Sequence, residues 1–146
     1  MSRQYPLARL LRLRKMREDE AANELALAQR RELRAHQKAQ RAQEELMGSS
    51  LGGDYDESLW RSSIAAQAAR RSMMLEAMTL AEVAARETTE AHSQWTAARK
   101  ESRPLEKLEE KFKEAVNAEE LRAEAIVLDE IAQNIKRQDM GDSDVD

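Results

Sequence analysis

The stretch GSSLGGDYDES, residues 48–58, is the one clear interruption in a chain that is otherwise patterned as helix. It holds three of the four glycines in the 146-residue sequence, together with serine and aspartate. Such a cluster between two periodic segments is typical of a loop, and Asp56 or Ser58 is suited to cap the helix that follows. Because a short loop between two long helices makes them antiparallel neighbours, this stretch predicts a hairpin.

The composition supports a helical fold with little core. Alanine, glutamate, lysine, leucine and arginine fill 84 of the 146 positions, a bias typical of coiled coils and long helices. Charged residues make up 36% of the chain and aromatic residues only 3%. We therefore predict an all-α fold, a long two-helix antiparallel coiled-coil hairpin with a C-terminal helical overhang.

Alternating steps of four and three residues trace one apolar edge on each helix, and we call this edge the seam. From Leu7 the steps lead to Leu46, and nine of the twelve positions are apolar. A sustained seven-residue repeat favours a left-handed supercoil, and the many alanines permit close helix approach. On the second helix the predicted seam positions are Trp60, Ile64, Gln67, Arg71, Met74, Met78, Ala81, Ala85, Thr88, His92, Trp95 and Arg99.

These patterns set the expected boundaries. If the turn centres near residue 52, residue i faces about residue 104 − i, so the first helix runs out near Pro104. A proline inside a helix removes a hydrogen bond and costs about 3 kcal/mol, so we expect a kink at 103–104. The predicted segments are a first helix at 1–47, the loop at 48–58, a second helix at 59–138 and a disordered acidic tail at 139–146.

The overhang, residues 105–138, is expected to extend about 50 Å without an intramolecular partner. Its broadest apolar surface lies in the segment AIVLDEI, residues 125–131. Exposed contiguous apolar area usually marks an interaction site, so a partner is expected here.

The sequence offers no constellation for catalysis. The chain has no cysteine, and its two histidines, His36 and His92, have no further ligand at metal-binding spacing. The acidic segments lack the glycine and glutamate that a calcium loop requires, and no phosphate-binding glycine loop occurs. We therefore predict no enzyme, no catalytic residue, no metal and no cofactor. No apolar run reaches the roughly 18 residues of a membrane span, so a soluble cytoplasmic protein is expected.

The N-terminal segment ARLLRLRKMR, residues 8–17, is basic. Six basic side chains and no acidic one occur up to residue 17, although basic charge opposes the dipole at a helix N-terminus. An acidic protein surface is the favoured partner, with a merely solvated face or an anionic lipid or nucleic acid as alternatives. The segment lacks the tryptophan or phenylalanine that membrane insertion or base stacking would use, so no nucleic acid is expected.

The chain resembles the flagellar FliJ family and its injectisome counterparts of the YscO type. The similarity is carried by LARLLRLRKMREDEAANELALAQRREL at residues 7–33, by the glycine-rich turn followed by Trp60, and by EELRAEAIVLDEIAQNIKR at residues 119–137. Pro104 departs from the continuous second helix that such a likeness implies.

This resemblance implies a non-enzymatic stalk of a type III export apparatus, peripheral to a membrane. Its implied partners are a hexameric export ATPase and the cytoplasmic domain of the export gate, with an escort role toward export chaperones. The alternative is a generic coiled-coil scaffold or self-assembling structural protein. From the likeness and the hairpin geometry together, the residues expected at the ATPase contact are Leu7, Leu10, Leu11, Arg12, Leu128, Ile131 and Ile135.

Overall fold

The computed structural model of the protein describes residues 3–49 and 56–143, and its regular structure consists of two long helices. Helix α1 spans Ala8–Gly48 and helix α2 spans Glu57–Asp142. No strand occurs among these residues, and the prediction of an all-α antiparallel hairpin is confirmed. In the described ranges, neither helix contains a stretch long and apolar enough to cross a membrane.

The helix ends differ from the predicted boundaries. Asp56 caps α2, because its carboxylate accepts a hydrogen bond of 2.7 Å from the backbone N–H of Leu59, which has no helical partner. At the other end, α2 includes residues 139–142, which the sequence assigned to a disordered tail. Most of the predicted loop, residues 50–55, and residues 144–146 lie outside the described part of the chain.

The chain divides into two compact units. One consists of Arg14–Lys100 and the other of Met1–Leu13 with Glu101–Asp146. We call them the hairpin unit and the terminal unit. Helix α2 contributes to both, since the boundary falls inside it.

Polar contacts fix the register within the hairpin unit. The hydroxyl oxygen of Ser49 lies 2.6 Å from Oε1 of Gln67, and the carboxylate of Glu18 lies 3.8 Å from Nε of Arg99. Residue numbers rise along α1 as they fall along α2, so the helices are antiparallel. In both pairs residue i faces about residue 117 − i.

In the terminal unit, residues 3–7 precede α1 and lie along α2. The ring of Tyr5 packs on Phe112 with centroids 5.6 Å apart, and its hydroxyl donates a hydrogen bond of 3.2 Å to the carbonyl oxygen of Leu105. Arg3 reaches Glu119, 2.8 Å away, but this exposed ion pair contributes little to stability. The half-buried Tyr5 is therefore the main anchor of the segment.

The predicted register is wrong by about a dozen residues. The glycine-rich loop shows where the helices are interrupted, but it does not show how much of α2 precedes its first contact with α1. Helix α2 begins at Glu57, ten residues before Gln67 meets Ser49. Residues 56–62 are accordingly all exposed.

The corrected register shortens the overhang. The N-terminal segment reaches Glu119, so the expectation that all of residues 105–138 lack an intramolecular partner is wrong. A non-helical chain advances up to about 3.3 Å per residue and a helix only about 1.5 Å, so a few N-terminal residues cover a long stretch of α2. From Leu121 to Ser143 every residue is exposed, and this part is the actual overhang.

The seam predicted on α1 is confirmed from Leu11 to Leu46. Every predicted position in this range is buried or half-buried, and Leu11 and Ala28 are only 5% exposed. Leu7, the first position of the series, is 39% exposed. The seven-residue repeat therefore identifies the packing face of this helix.

The seam predicted on α2 is correct at seven of its twelve positions, and two of the seven are the half-buried Ala85 and Arg99. Gln67, Met74, Ala81, Thr88 and Trp95 are buried or half-buried. Three other positions are displaced by one residue, because stepping from Trp60 favoured large apolar side chains, whereas small side chains allow the close helix contact. The seam positions assigned to Ile64, Met78 and His92 are held instead by Ser63, Ala77 and Ala91.

Pro104 does not end α2, which continues through it to Asp142. Proline has no N–H to donate to the carbonyl of Lys100, so one helical hydrogen bond is missing there. The ring is exposed and displaces no packed side chain, while Ser102, two residues earlier, is fully buried. The boundary between the two units lies one turn before the proline, between Lys100 and Glu101.

We expect Ala81→Leu to destabilise the hairpin, because Ala81 is 4% exposed and the seam has no room for a larger side chain. Overpacking of this kind costs about 1–3 kcal/mol. Thermal and urea unfolding followed by circular dichroism would measure the loss. Ala65→Leu, at an exposed position of the same helix, is the matched control and should be nearly neutral. Equal stability of both variants would contradict the seam assignment.

We expect Pro104→Ala to strengthen α2 locally, because the new N–H completes the helical ladder at an exposed position. The free energy of unfolding should rise by no more than about 3 kcal/mol, which is the difference in helix propensity between proline and alanine in a helix interior. Hydrogen exchange of amides 100–108 should become slower than in the parent chain. Lys107→Ala is the control, since both residues are good helix formers. Unchanged or faster exchange in Pro104→Ala would argue against a continuous helix at this point.

Candidate partner-binding surfaces

The start of α1 presents exposed basic and apolar side chains together. Leu7 and Leu10 are each 39% exposed, Arg9 and Arg12 are exposed, and the first turn contains no acidic residue. Positive charge at a helix N-terminus opposes the helix dipole, so the helix itself gains nothing from these arginines. We call Leu7, Leu10 and Arg12 the N-terminal surface. It is suited to an acidic surface with apolar contacts.

Leu11 does not belong to this surface. It is 5% exposed and packs in the seam, so its side chain is not available to a partner, contrary to the sequence expectation. Leu13, in the same unit, is 47% exposed, and Met16, in the hairpin unit, is 56% exposed, although sequence reasoning selected neither. The sequence could have identified both residues as exposed, because neither Leu13 nor Met16 falls on a position of the seven-residue repeat that forms the seam.

The overhang carries the second surface. Leu128, Ile131 and Ile135 are 66%, 49% and 55% exposed, and we call them the C-terminal surface. Exposure of this extent on large aliphatic side chains is costly unless a partner covers them. An open depression of about 420 Å³ next to them is suited to an apolar side chain of a docking helix. It is lined by Ala123, Glu124, Val127 and Leu128.

The two surfaces lie in one unit but not at one site. Tyr5 contacts Phe112, and from that contact α1 runs along α2 away from the overhang. Leu128 is sixteen residues beyond Phe112, which is about 24 Å along a helix. A single small ligand therefore cannot touch both surfaces, and the expected contact residues form two separate patches.

Both histidines have local partners that account for their positions. His36 lies 3.7 Å from Glu32, and the ring of His92 packs against Trp95 with centroids 5.8 Å apart. Arg99 lies over the same indole, 4.8 Å from its centroid, in a cation–π contact. In the part of the chain that the structure describes, no cluster of three or more acidic, histidine or cysteine side chains is arranged to hold a metal ion.

Comparison with known proteins gives one match. The family described as flagellar FliJ protein matches residues 2–141, nearly the whole chain, including both surfaces. No curated protein and no solved structure matches the chain. Of the two related groups that the sequence resembles, the match is to the flagellar one. The chain therefore belongs to the flagellar FliJ protein family and is a component associated with flagellar protein export.

Proposed function

We propose that the protein is a non-enzymatic coiled-coil stalk that links the hexameric flagellar export ATPase to the cytoplasmic domain of the export gate. The observation that carries this proposal is the family match over residues 2–141, which spans the hairpin and the overhang alike. In this role the protein lies on the cytoplasmic side, peripheral to the membrane. Escort of export chaperones is part of the same proposal.

The two surfaces of the terminal unit supply the contact to the ATPase. Because Leu10 and Arg12 are two residues apart, they lie on nearly opposite sides of α1, and a partner that contacts both must surround the start of the helix. The exposed leucines suit an apolar contact and the exposed arginine suits an acidic one. Interfaces are commonly arranged in this way, with an apolar centre and charges that guide encounter. Leu11 has a supporting role, since it holds α1 against α2 beneath the exposed leucines.

The C-terminal surface supplies the larger apolar area. Leu128 and Ile135 are exposed side chains seven residues apart and lie on one side of α2. Apolar residues at helical spacing are the usual anchors when a helix enters a groove. Because the two surfaces lie about 24 Å or more apart, an ATPase assembly that engages both must offer two separate contacts.

Truncation after Glu120 should weaken ATPase binding while leaving the rest of the protein folded. The removed residues are all exposed where the structure describes them, so no packing is lost. Binding of the purified ATPase by biolayer interferometry should weaken at least about tenfold, which corresponds to about 1.4 kcal/mol. Circular dichroism, which reports the remaining helix, is the control. An unchanged affinity would contradict the assignment of the C-terminal surface.

Charge reversal should distinguish a local contact of Arg12 with the ATPase from an effect of the net charge of the protein. Arg12→Glu places a negative charge within the N-terminal surface, whereas Arg30→Glu makes the same change at an exposed position in the hairpin unit. We expect Arg12→Glu to slow ATPase association and reduce its salt dependence, because charges at an interface rim act mainly on the association rate. Arg30→Glu should change neither. Equal effects from the two variants would show that the arginine acts only through net charge.

A further inference from the structure

The overhang and the turn of α2 before it carry a second seven-residue repeat that the intramolecular seam does not use. Its members alternate strictly between alanine and a larger aliphatic residue, at spacings of three and four. All of them are exposed. We call this set the outer stripe, and it consists of Ala118, Leu121, Ala125, Leu128, Ala132 and Ile135.

The outer stripe is not a continuation of the seam. Within the terminal unit the seam runs through Ser102, Leu105, Phe112 and Val116, all buried or half-buried. Continued at the same period, it would pass through Glu119, Ala123, Ile126, Glu130 and Gln133, of which only two are apolar. The outer stripe is offset from this series by two positions, which is about 200° around a helix of 3.6 residues per turn. It therefore faces away from the side of α2 that residues 3–7 cover.

The side-chain sizes in the outer stripe fit an antiparallel copy of itself. In an antiparallel pair each layer combines one alanine with one leucine or isoleucine, because the two repeat positions meet each other. Leu128 then lies against Ala125 of the second copy, and Leu121 against Ala132 of the second copy. A parallel pair would instead stack alanine on alanine and leucine on leucine. Alternation of large and small side chains across facing positions gives the tighter packing.

Charges along one edge of the stripe select the same arrangement. Arg122 and Asp129 follow Leu121 and Leu128, so they flank the stripe on one side. In the antiparallel register given above, Arg122 lies beside Asp129 of the second copy, and the twofold axis generates the pair twice. If the antiparallel register shifts by one repeat, Asp129 lies beside Asp129 of the second copy. In a parallel pair, Glu124 lies beside Asp129 of the second copy. Both alternatives bring like charges together. Only the first arrangement brings opposite charges together.

We propose that the outer stripe is a homodimer interface, in which two copies of the chain pair their overhangs antiparallel about a twofold axis between Ile126 and Val127. The paired stretch, residues 118–135, is about 26 Å long. An interface of this length belongs to the small class that forms reversibly, so the dimer should appear only at high concentration. The inference goes beyond the proposed function, because the dimer requires nothing but this chain. Leu128 and Ile135 belong to both surfaces, so the dimer and the ATPase contact at the C-terminal surface exclude each other.

Sedimentation equilibrium of the purified full-length chain tests the proposal. The mass should rise from the 16.7 kDa monomer toward twice that value as concentration increases through the micromolar range. Leu128→Asp, at the centre of the stripe, should weaken dimerisation at least about tenfold. Ile126→Asp is the matched control, since Ile126 is 54% exposed but lies off the stripe. A chain that stays monomeric up to millimolar concentration, or a dimer indifferent to Leu128→Asp, overturns the proposal.

The charge pair tests the register. Arg122→Asp and Asp129→Arg should each weaken the dimer, because each places like charges together. The double variant should restore it, because both pairs are re-formed with reversed sign. Failure of the double variant to recover more than either single variant would contradict the register.

The orientation can be measured directly because the sequence has no cysteine. In the variant Gln138→Cys, spin labels on the two copies should lie about 35 Å apart in the antiparallel dimer. A parallel dimer would bring them within about 10 Å, the distance between packed helices, and would overturn the proposal. Binding of the ATPase is a separate measurement, so a failure of either proposal is recognised on its own.

Discussion

The fold depends on the close approach of two helices along a seam lined by alanine. Ala28, Ala77, Ala81 and Ala84 are 4–7% exposed, and together with Leu11 they are the buried apolar residues of the described chain. Such small side chains bury little apolar area each, so stability is spread over many layers rather than concentrated in a core. The few aromatic residues form local contacts, such as the packing of Tyr5 on Phe112.

Much of this fold could be predicted from the sequence, because period and composition report on helices directly. The α1 seam was predictable from Leu11 to Leu46, since its apolar positions stand out against charged neighbours. The α2 seam was only half predictable, because Ala77 and Met78 are both apolar and the period does not distinguish neighbours. The register could not be predicted. It depends on how many residues of α2 precede the Ser49–Gln67 contact, and local pattern does not contain that number.

The exposure of the candidate contact residues was predictable only in part. Leu128, Ile131 and Ile135 lie on the exposed overhang, where a partner could reach them. Leu11 was wrongly included because a leucine in a basic amphipathic segment has the same sequence signature whether it faces the seam or solvent. The separation between the N-terminal and C-terminal surfaces also depends on the register, so it could be found only from the contact of Tyr5 with Phe112.

The two-position offset between the seam and the outer stripe has a consequence for how the chain tolerates changes of length. Insertion of seven residues between Glu119 and Leu121 would leave both faces in place and lengthen the overhang by about 10 Å. Deletion of two residues at the same point would instead rotate the outer stripe onto the line of the seam and merge the two faces. Changes of length by whole heptads would therefore keep the outer stripe separate from the seam, whereas a two-residue deletion would remove this separation.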